Sequence, residues 1–168
     1  MRGRLRLVAL VADADDEWIA AAVAAVRPDF LQLHGRETVE RAGDIRTRFG
    51  VPLIKALAVA EACDLAVAPS WYAVADMLMF DAKAPEGLRP GGHGVAFDWS
   101  LLRGRSFARP WFLAGGLNPE NVARAAAGAA APGVDVSSGV ETAPGSKSPE
   151  MIAAFVSAAR NKFQMEAR

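Results

Sequence analysis

Short apolar runs recur along this chain, and after each one the pattern turns from strand-like to helical. Residues 5–11 are apolar and β-prone, with Arg4 and Arg6 near their start. The acidic turn from Asp13 to Asp16 then offers caps to an alanine-rich helical run over 18–26. A second strand is predicted at 30–33, ending at His34-Gly35. Charges at helical spacing over 38–49 stop at Gly50, a C-cap. Residues 52–57 are again strand-like, and a helix is predicted near 60–67, which Pro69 should end or bend.

The short apolar run 76–80 delivers Asp81-Ala82-Lys83 at its carboxyl end. A longer loop, 84–94, follows with two prolines and four glycines, and such loops are more often functional than bare connectors. Residues 97–102 start a short helix, and two further apolar runs lie at 111–114 and 134–136. Asn118, Pro119 and Glu120 make a helix start after the first of these. Ser148-Pro149-Glu150 repeats that logic before a final helix from Met151 to about residue 162.

The order is strand then helix, six times over. That alternation predicts an α/β fold, a parallel sheet covered by helices, in a single domain over 1–168. Strand ends fall near Val11, Leu33, Leu57, Asp81, Ala114 and Val136. Five of the six run on into polar or glycine-rich turns, where α/β folds place ligands. Two of these turns, Gly115-Gly116-Leu117 and Ser137-Ser138-Gly139, stand 22 residues apart. Glycine allows close backbone approach, and free N–H groups at a helix start favour an anion, so the pair predicts one phosphate cup.

Composition narrows the class. The 168 residues suffice for a real core, and 52% hydrophobic with 23% charged residues fits a globular protein. Lys plus Arg equals Asp plus Glu at 19 each, so no net field argues for nucleic acid or an anionic membrane. No apolar run approaches the roughly 20 residues of a membrane span. The single cysteine, Cys63, excludes an internal disulfide framework and fits a cytoplasmic protein.

At this point the residues resemble the phosphoribosylanthranilate isomerases of tryptophan biosynthesis. The matching stretches begin with Leu31-Gln32-Leu33-His34-Gly35 and Glu37, then Leu53-Ile54-Lys55-Ala56-Leu57 and Phe80-Asp81-Ala82-Lys83. They continue through Gly91-Gly92-His93-Gly94, Phe97-Asp98-Trp99 and Leu113-Ala114-Gly115-Gly116-Leu117 with Asn118 and Asn121. Val134-Asp135-Val136-Ser137-Ser138-Gly139-Val140-Glu141, Pro144-Gly145 and Lys147 complete the set, in the family's order over nearly the whole chain.

The resemblance implies a (β/α)₈ TIM barrel, and barrels of this kind rarely fall below about 200 residues. The six units here are expected to correspond to units three to eight, with the first two absent. It also implies an Amadori rearrangement of an aminoaldose phosphate to an aminoketose phosphate, without metal or other cofactor. The partner implied is a small phosphoribosyl substrate, with the protein a monomer or a homodimer.

By the same resemblance Asp81 is the general acid that protonates the ribose ring oxygen. Independently, a carboxyl just past an apolar strand is partly desolvated, as a general acid requires; capping its loop or pairing with Lys83 is the alternative. The phosphate is expected on the N–H groups of Gly92, His93 and Gly94, of Gly115 and Gly116, and of Ser138 and Gly139, with Asp135 on the ribose hydroxyls. His93 stands where many members have threonine. His34 either lines the substrate cavity or is hydrogen-bonded into the rim. Lys55 either points into the barrel mouth or forms a structural ion pair. Phe97 and Trp99 are expected to anchor the following helix, and the charges of 36–48 to form a solvated helix face.

The family's general base is the cysteine of a Lys-x-Cys-Gly motif, and an arginine of its second unit holds the anthranilate carboxylate. Neither motif occurs in these 168 residues. Cys63 is no substitute, because it falls in the predicted helix after Leu57 and reads as a structural thiol. Reduced activity and exposed sheet edges prone to association are the corresponding expectations.

Overall fold

The structure, a computed structural model, describes residues 5–83 and 96–166. The fold is α/β, with a five-stranded sheet in the order β1-β2-β3-β4-β5: Val8–Val11, Phe30–Leu33, Leu53–Val59, Met77–Ala82 and Trp111–Leu113. Pairing is parallel, with Val8 opposite Phe30 and Leu31 opposite Leu53. Contacts gather into two compact units, one of residues 1–57, 67–79 and 108–110 and one of 58–66, 80–107 and 111–168.

In the first unit, α1 (Asp16–Val26) and α2 (Val39–Phe49) follow β1 and β2. The Asp15 carboxylate caps α1 by accepting the Trp18 amide at 2.8 Å. Thr38 does the same for α2 through the Arg41 amide, and Gly50 closes it in the left-handed region at φ 64°. These are the caps the sequence indicates. Ile19, Ile45, Leu31, Leu33 and Leu53 are buried.

The helix surface over 36–48 departs from a freely solvated face. Arg41 and Arg48 both pair with Asp16 of α1, and Arg46 grips Asp76 with two hydrogen bonds, at 2.6 and 3.1 Å. Asp76 also accepts the Leu53 amide. Burial works against the Asp76 charge, yet the bonds from Arg46 and Leu53 outweigh it and hold the carboxyl below its usual range.

The helix expected at 60–67 is instead a 3₁₀ segment, Ala62–Trp71, with Pro69 inside it. Proline lacks the amide an α-helix interior would use, and the short i→i+3 turns tolerate it better. Asp64 opens the segment by accepting the amides of Ala60 and Glu61, and those bonds lower its carboxyl from the usual range. Cys63 is exposed, with its thiol 3.7 Å from Glu61, rather than packed in a helix.

In the second unit, α3 (Val122–Ala129) packs against α4 (Pro149–Glu166) and against a 3₁₀ turn at Trp99–Leu102. The predicted cap at Asn118 is displaced. Its side chain accepts the amides of Glu120 and Asn121, forming a turn that delays the helix to Val122. The sixth strand expected at 134–136 shrinks to one parallel bridge, Leu113 to Val134. Pro132-Gly133 lies before it and a 3₁₀ turn, Ser138–Val140, follows at once, so the ladder has no length to grow. A hairpin with no sequence-level expectation, β6 (Glu141–Ala143) and β7 (Ser146–Lys147), turns at Gly145 with φ 80°.

Candidate functional site

Most of the candidate residues sit in the second unit, and three backbone segments there touch. Asp81 is half-buried near the end of β4, and its Oδ1 accepts the Ala82 amide at 2.8 Å. Lys83 pairs with Asp64 at 3.8 Å rather than being reserved for Asp81. Gly115 packs directly on the next residue of that strand end: a Cβ there would lie 2.6 Å from the Ala82 nitrogen. A Cβ on Gly116 would lie 2.9 Å from Ala96, and one on Gly139 only 1.8 Å from the Leu117 carbonyl oxygen. No side chain fits at such distances. The acid's strand end, the Gly115–Gly116 turn and the Ser138–Gly139 turn are therefore contiguous, as the two-loop expectation requires.

The carbonyls of these turns are held by side chains. Trp99 donates its indole N–H to the Gly115 carbonyl at 3.3 Å, and Asn121 its amide to the Gly116 carbonyl at 2.9 Å. Lys147 donates to the Ser137 carbonyl at 2.8 Å. Among the described residues, the N–H groups of Gly116, Leu117, Ser138 and Gly139 make no hydrogen bond. Such an array of backbone donors can hold a phosphate. Asp135 is half-buried beside it, its amide donating to the Leu113 carbonyl. Gly92, His93 and Gly94, like the whole loop 84–94, lie outside the described residues.

His34 belongs to the first unit. Its amide donates to the Val11 carbonyl at 2.8 Å, and its Nδ1 lies 2.9 Å from the Gln32 amide nitrogen, which fixes the ring. Lys55 resolves to the structural ion pair: its ammonium lies 2.8 Å from Glu37 and 2.9 Å from the Gly35 carbonyl, over the Trp71 ring. Glu37 further accepts the amides of Asp13 and Gly35. Burial alone would raise its carboxyl, but Lys55 and the Asp13 amide prevail and hold it below the usual range.

Sequence reasoning set Trp99 down as a packing anchor and gave Asn121, Glu141 and Lys147 no role. The signal available was an Asn three residues after Asn118 and an acid–base pair flanking a Pro-Gly turn. Among the described residues no cluster of three or more His, Cys, Asp or Glu could hold a metal ion. Nor is any described helix long and apolar enough to cross a membrane.

Comparison with known proteins agrees with this geometry. Residues 1–158 match the family model of N-(5'-phosphoribosyl)anthranilate isomerase. The isomerase of that name from Rhodopseudomonas palustris is 55% identical over 160 residues, covering 95% of this chain and 73% of the relative. The crystal structure of phosphoribosyl anthranilate isomerase from Thermotoga maritima superposes with a TM-score of 0.82 at 35% identity, over 96% of this chain and 76% of that one. A structure of the isomerase in complex with reduced 1-(o-carboxyphenylamino)-1-deoxyribulose 5-phosphate gives a TM-score of 0.77 at 32% identity, over 96% and 74%. The chain belongs to the N-(5'-phosphoribosyl)anthranilate isomerase family.

Proposed function

We infer that this chain holds the acid and phosphate-binding groups of an isomerase in tryptophan biosynthesis. Its six strand positions, with the bridge at Val134 as the last, correspond in order to units three to eight of the family's (β/α)₈ barrel. In the reaction, Asp81 gives a proton to the ribose ring oxygen as the bond from that oxygen to the anomeric carbon breaks. A base then removes the proton of the adjacent carbon, and reprotonation yields the aminoketose, with no atom gained or lost overall. The N–H groups of Gly115, Gly116, Ser138 and Gly139 hold the phosphate together with those of Gly92, His93 and Gly94, and Asp135 meets the ribose hydroxyls.

The observation that carries this reading is the packing of Gly115 on Ala82, which sets the acid's strand end against the turn that offers free N–H donors. The base is assigned to no residue here, since Cys63 is exposed on a 3₁₀ segment and no Lys-x-Cys-Gly motif occurs in the sequence. That gap favours a second reading, a ribose-phosphate-binding protein without turnover. Incubation with N-(5-phosphoribosyl)anthranilate, followed by anthranilate fluorescence, separates the two. Conversion supports the isomerase; saturable binding without conversion supports the second; absence of any binding sinks both.

A further inference from the structure

The hairpin after the Ser138–Gly139 turn matches the family pattern at Pro144-Gly145 and Lys147, and the structure shows what it holds. Lys147 reaches back from β7, placing its ammonium 2.8 Å from the Ser137 carbonyl oxygen and 3.2 Å from the Ser137 hydroxyl. The same ammonium lies 2.6 Å from Oε1 of Glu141, whose other oxygen accepts the Gly145 amide at 3.2 Å. A lysine ammonium has three hydrogens to donate, and these three contacts use them all.

Peptide geometry converts that anchoring into a consequence for the neighbouring donors. In a trans peptide the C=O and N–H point in opposite directions. Fixing the Ser137 carbonyl on Lys147 therefore turns the Ser138 N–H away from the hairpin. The Glu141 amide takes the Ser138 carbonyl and turns the Gly139 N–H in the same manner. The other turn is built alike, since Trp99 on the Gly115 carbonyl orients the Gly116 N–H, and Asn121 on the Gly116 carbonyl orients the Leu117 N–H.

We propose that Lys147, held by Glu141, is a positioning residue of the phosphate site, fixing the Ser137 peptide plane rather than binding the anion itself. The proposal rests on the phosphate-binding reading above. Its rival is that the Lys147 charge attracts phosphate directly, and the two differ in sign for one substitution. Glu141→Gln removes a negative charge beside the turn, so a charge effect tightens phosphate binding, whereas loss of positioning weakens it.

The test is titration of the 168-residue chain with inorganic phosphate, following affinity by calorimetry and the Ser138 and Gly139 amides by ¹⁵N NMR. Glu141→Gln and Lys147→Met are each expected to weaken binding at least tenfold and to abolish the phosphate-dependent shift of the Ser138 amide. Unfolding midpoints in urea should stay close to wild type, because both side chains lie at the surface of one hairpin. Tighter binding by Glu141→Gln, or wild-type affinity in both variants, overturns the positioning role alone. A wild-type chain whose turn amides do not respond to phosphate overturns the phosphate reading itself, and this proposal with it.

Discussion

Glu37 and Lys55 form an ion pair at 2.8 Å in which neither side chain is more than 5% exposed. Its satisfaction is complete on the acid side, where the amides of Asp13 and Gly35 supply the remaining donors. The pair thus fastens the turns after β1 and β2 to a residue of β3. Removing one partner strands the other as a buried charge. Lys55→Met should lower stability by about 3–5 kcal/mol, and adding Glu37→Gln to it should recover part of that loss. Urea unfolding of the two variants checks this; a loss below about 1 kcal/mol for Lys55→Met would contradict it.

The carboxyls of Glu37 and Asp76 both titrate below their usual range in the folded chain. A depressed folded-state pKa means the unfolded chain takes up protons first as the pH falls. The stabilisation is therefore present above the ordinary carboxylate range, about pH 4–4.5, and is lost as the pH drops through the depressed folded values. Unfolding free energy measured from pH 7 to 3 should stay level and then fall below about pH 4.5. In a Glu37→Gln, Asp76→Asn double variant the low-pH fall should be shallower, from a lower starting stability.

Gly139 has no room for a methyl group, because a Cβ would lie 1.8 Å from the Leu117 carbonyl. Gly139→Ala must separate the two glycine turns. The expected cost is about 1–3 kcal/mol, with inorganic phosphate affinity reduced at least tenfold. Gly128→Ala serves as the control, since a Cβ there meets nothing within 4 Å. Equal behaviour of the two variants would count against the contact.

Asp81→Asn keeps the shape of the β4 end and its acceptor for the Ala82 amide, but it cannot deliver the proton. Turnover of N-(5-phosphoribosyl)anthranilate by the chain should fall about 10²–10⁴-fold. Phosphate affinity should change less than about twofold. A parallel loss of both would place Asp81 in binding rather than in proton transfer.

β1 ends the sheet order, with only β2 as a neighbour, and Leu5, Leu7, Leu10 and Trp18 are exposed nearby in sequence, Trp18 to 72%. A bare strand edge with apolar side chains favours association. Sedimentation of the 168-residue chain should show concentration-dependent self-association that Leu10→Lys reduces. A monodisperse monomer at all concentrations would count against it.

Capping residues were read correctly wherever a local rule decides the outcome. Asp15, Thr38 and Gly50 end their helices as expected because each acts within three or four residues of its own position. Asn118 misled because its side chain can satisfy either a helix start or a tight turn, and here Glu120 and Asn121 take it. Pro69 misled because proline forbids an α-helix interior but not a 3₁₀ turn. The run 134–136 has the composition of a strand, yet its ladder depends on partners and flanking turns that composition does not report.

The sequence alone determined the alternation of elements, the family resemblance and the identity of the acid and glycine turns, since these are written in residue type and order. Only the tertiary structure decided which groups those turns lean on. That the Gly115 turn rests on Ala82, that Lys55 answers Glu37, and that Lys147 spends its hydrogens on Ser137 and Glu141 are long-range or through-turn contacts. A side chain's charge and length are fixed by its codon, but its partner is chosen by packing. The opening stretch of two glycine turns becomes a donor array because three side chains hold its carbonyls turned away.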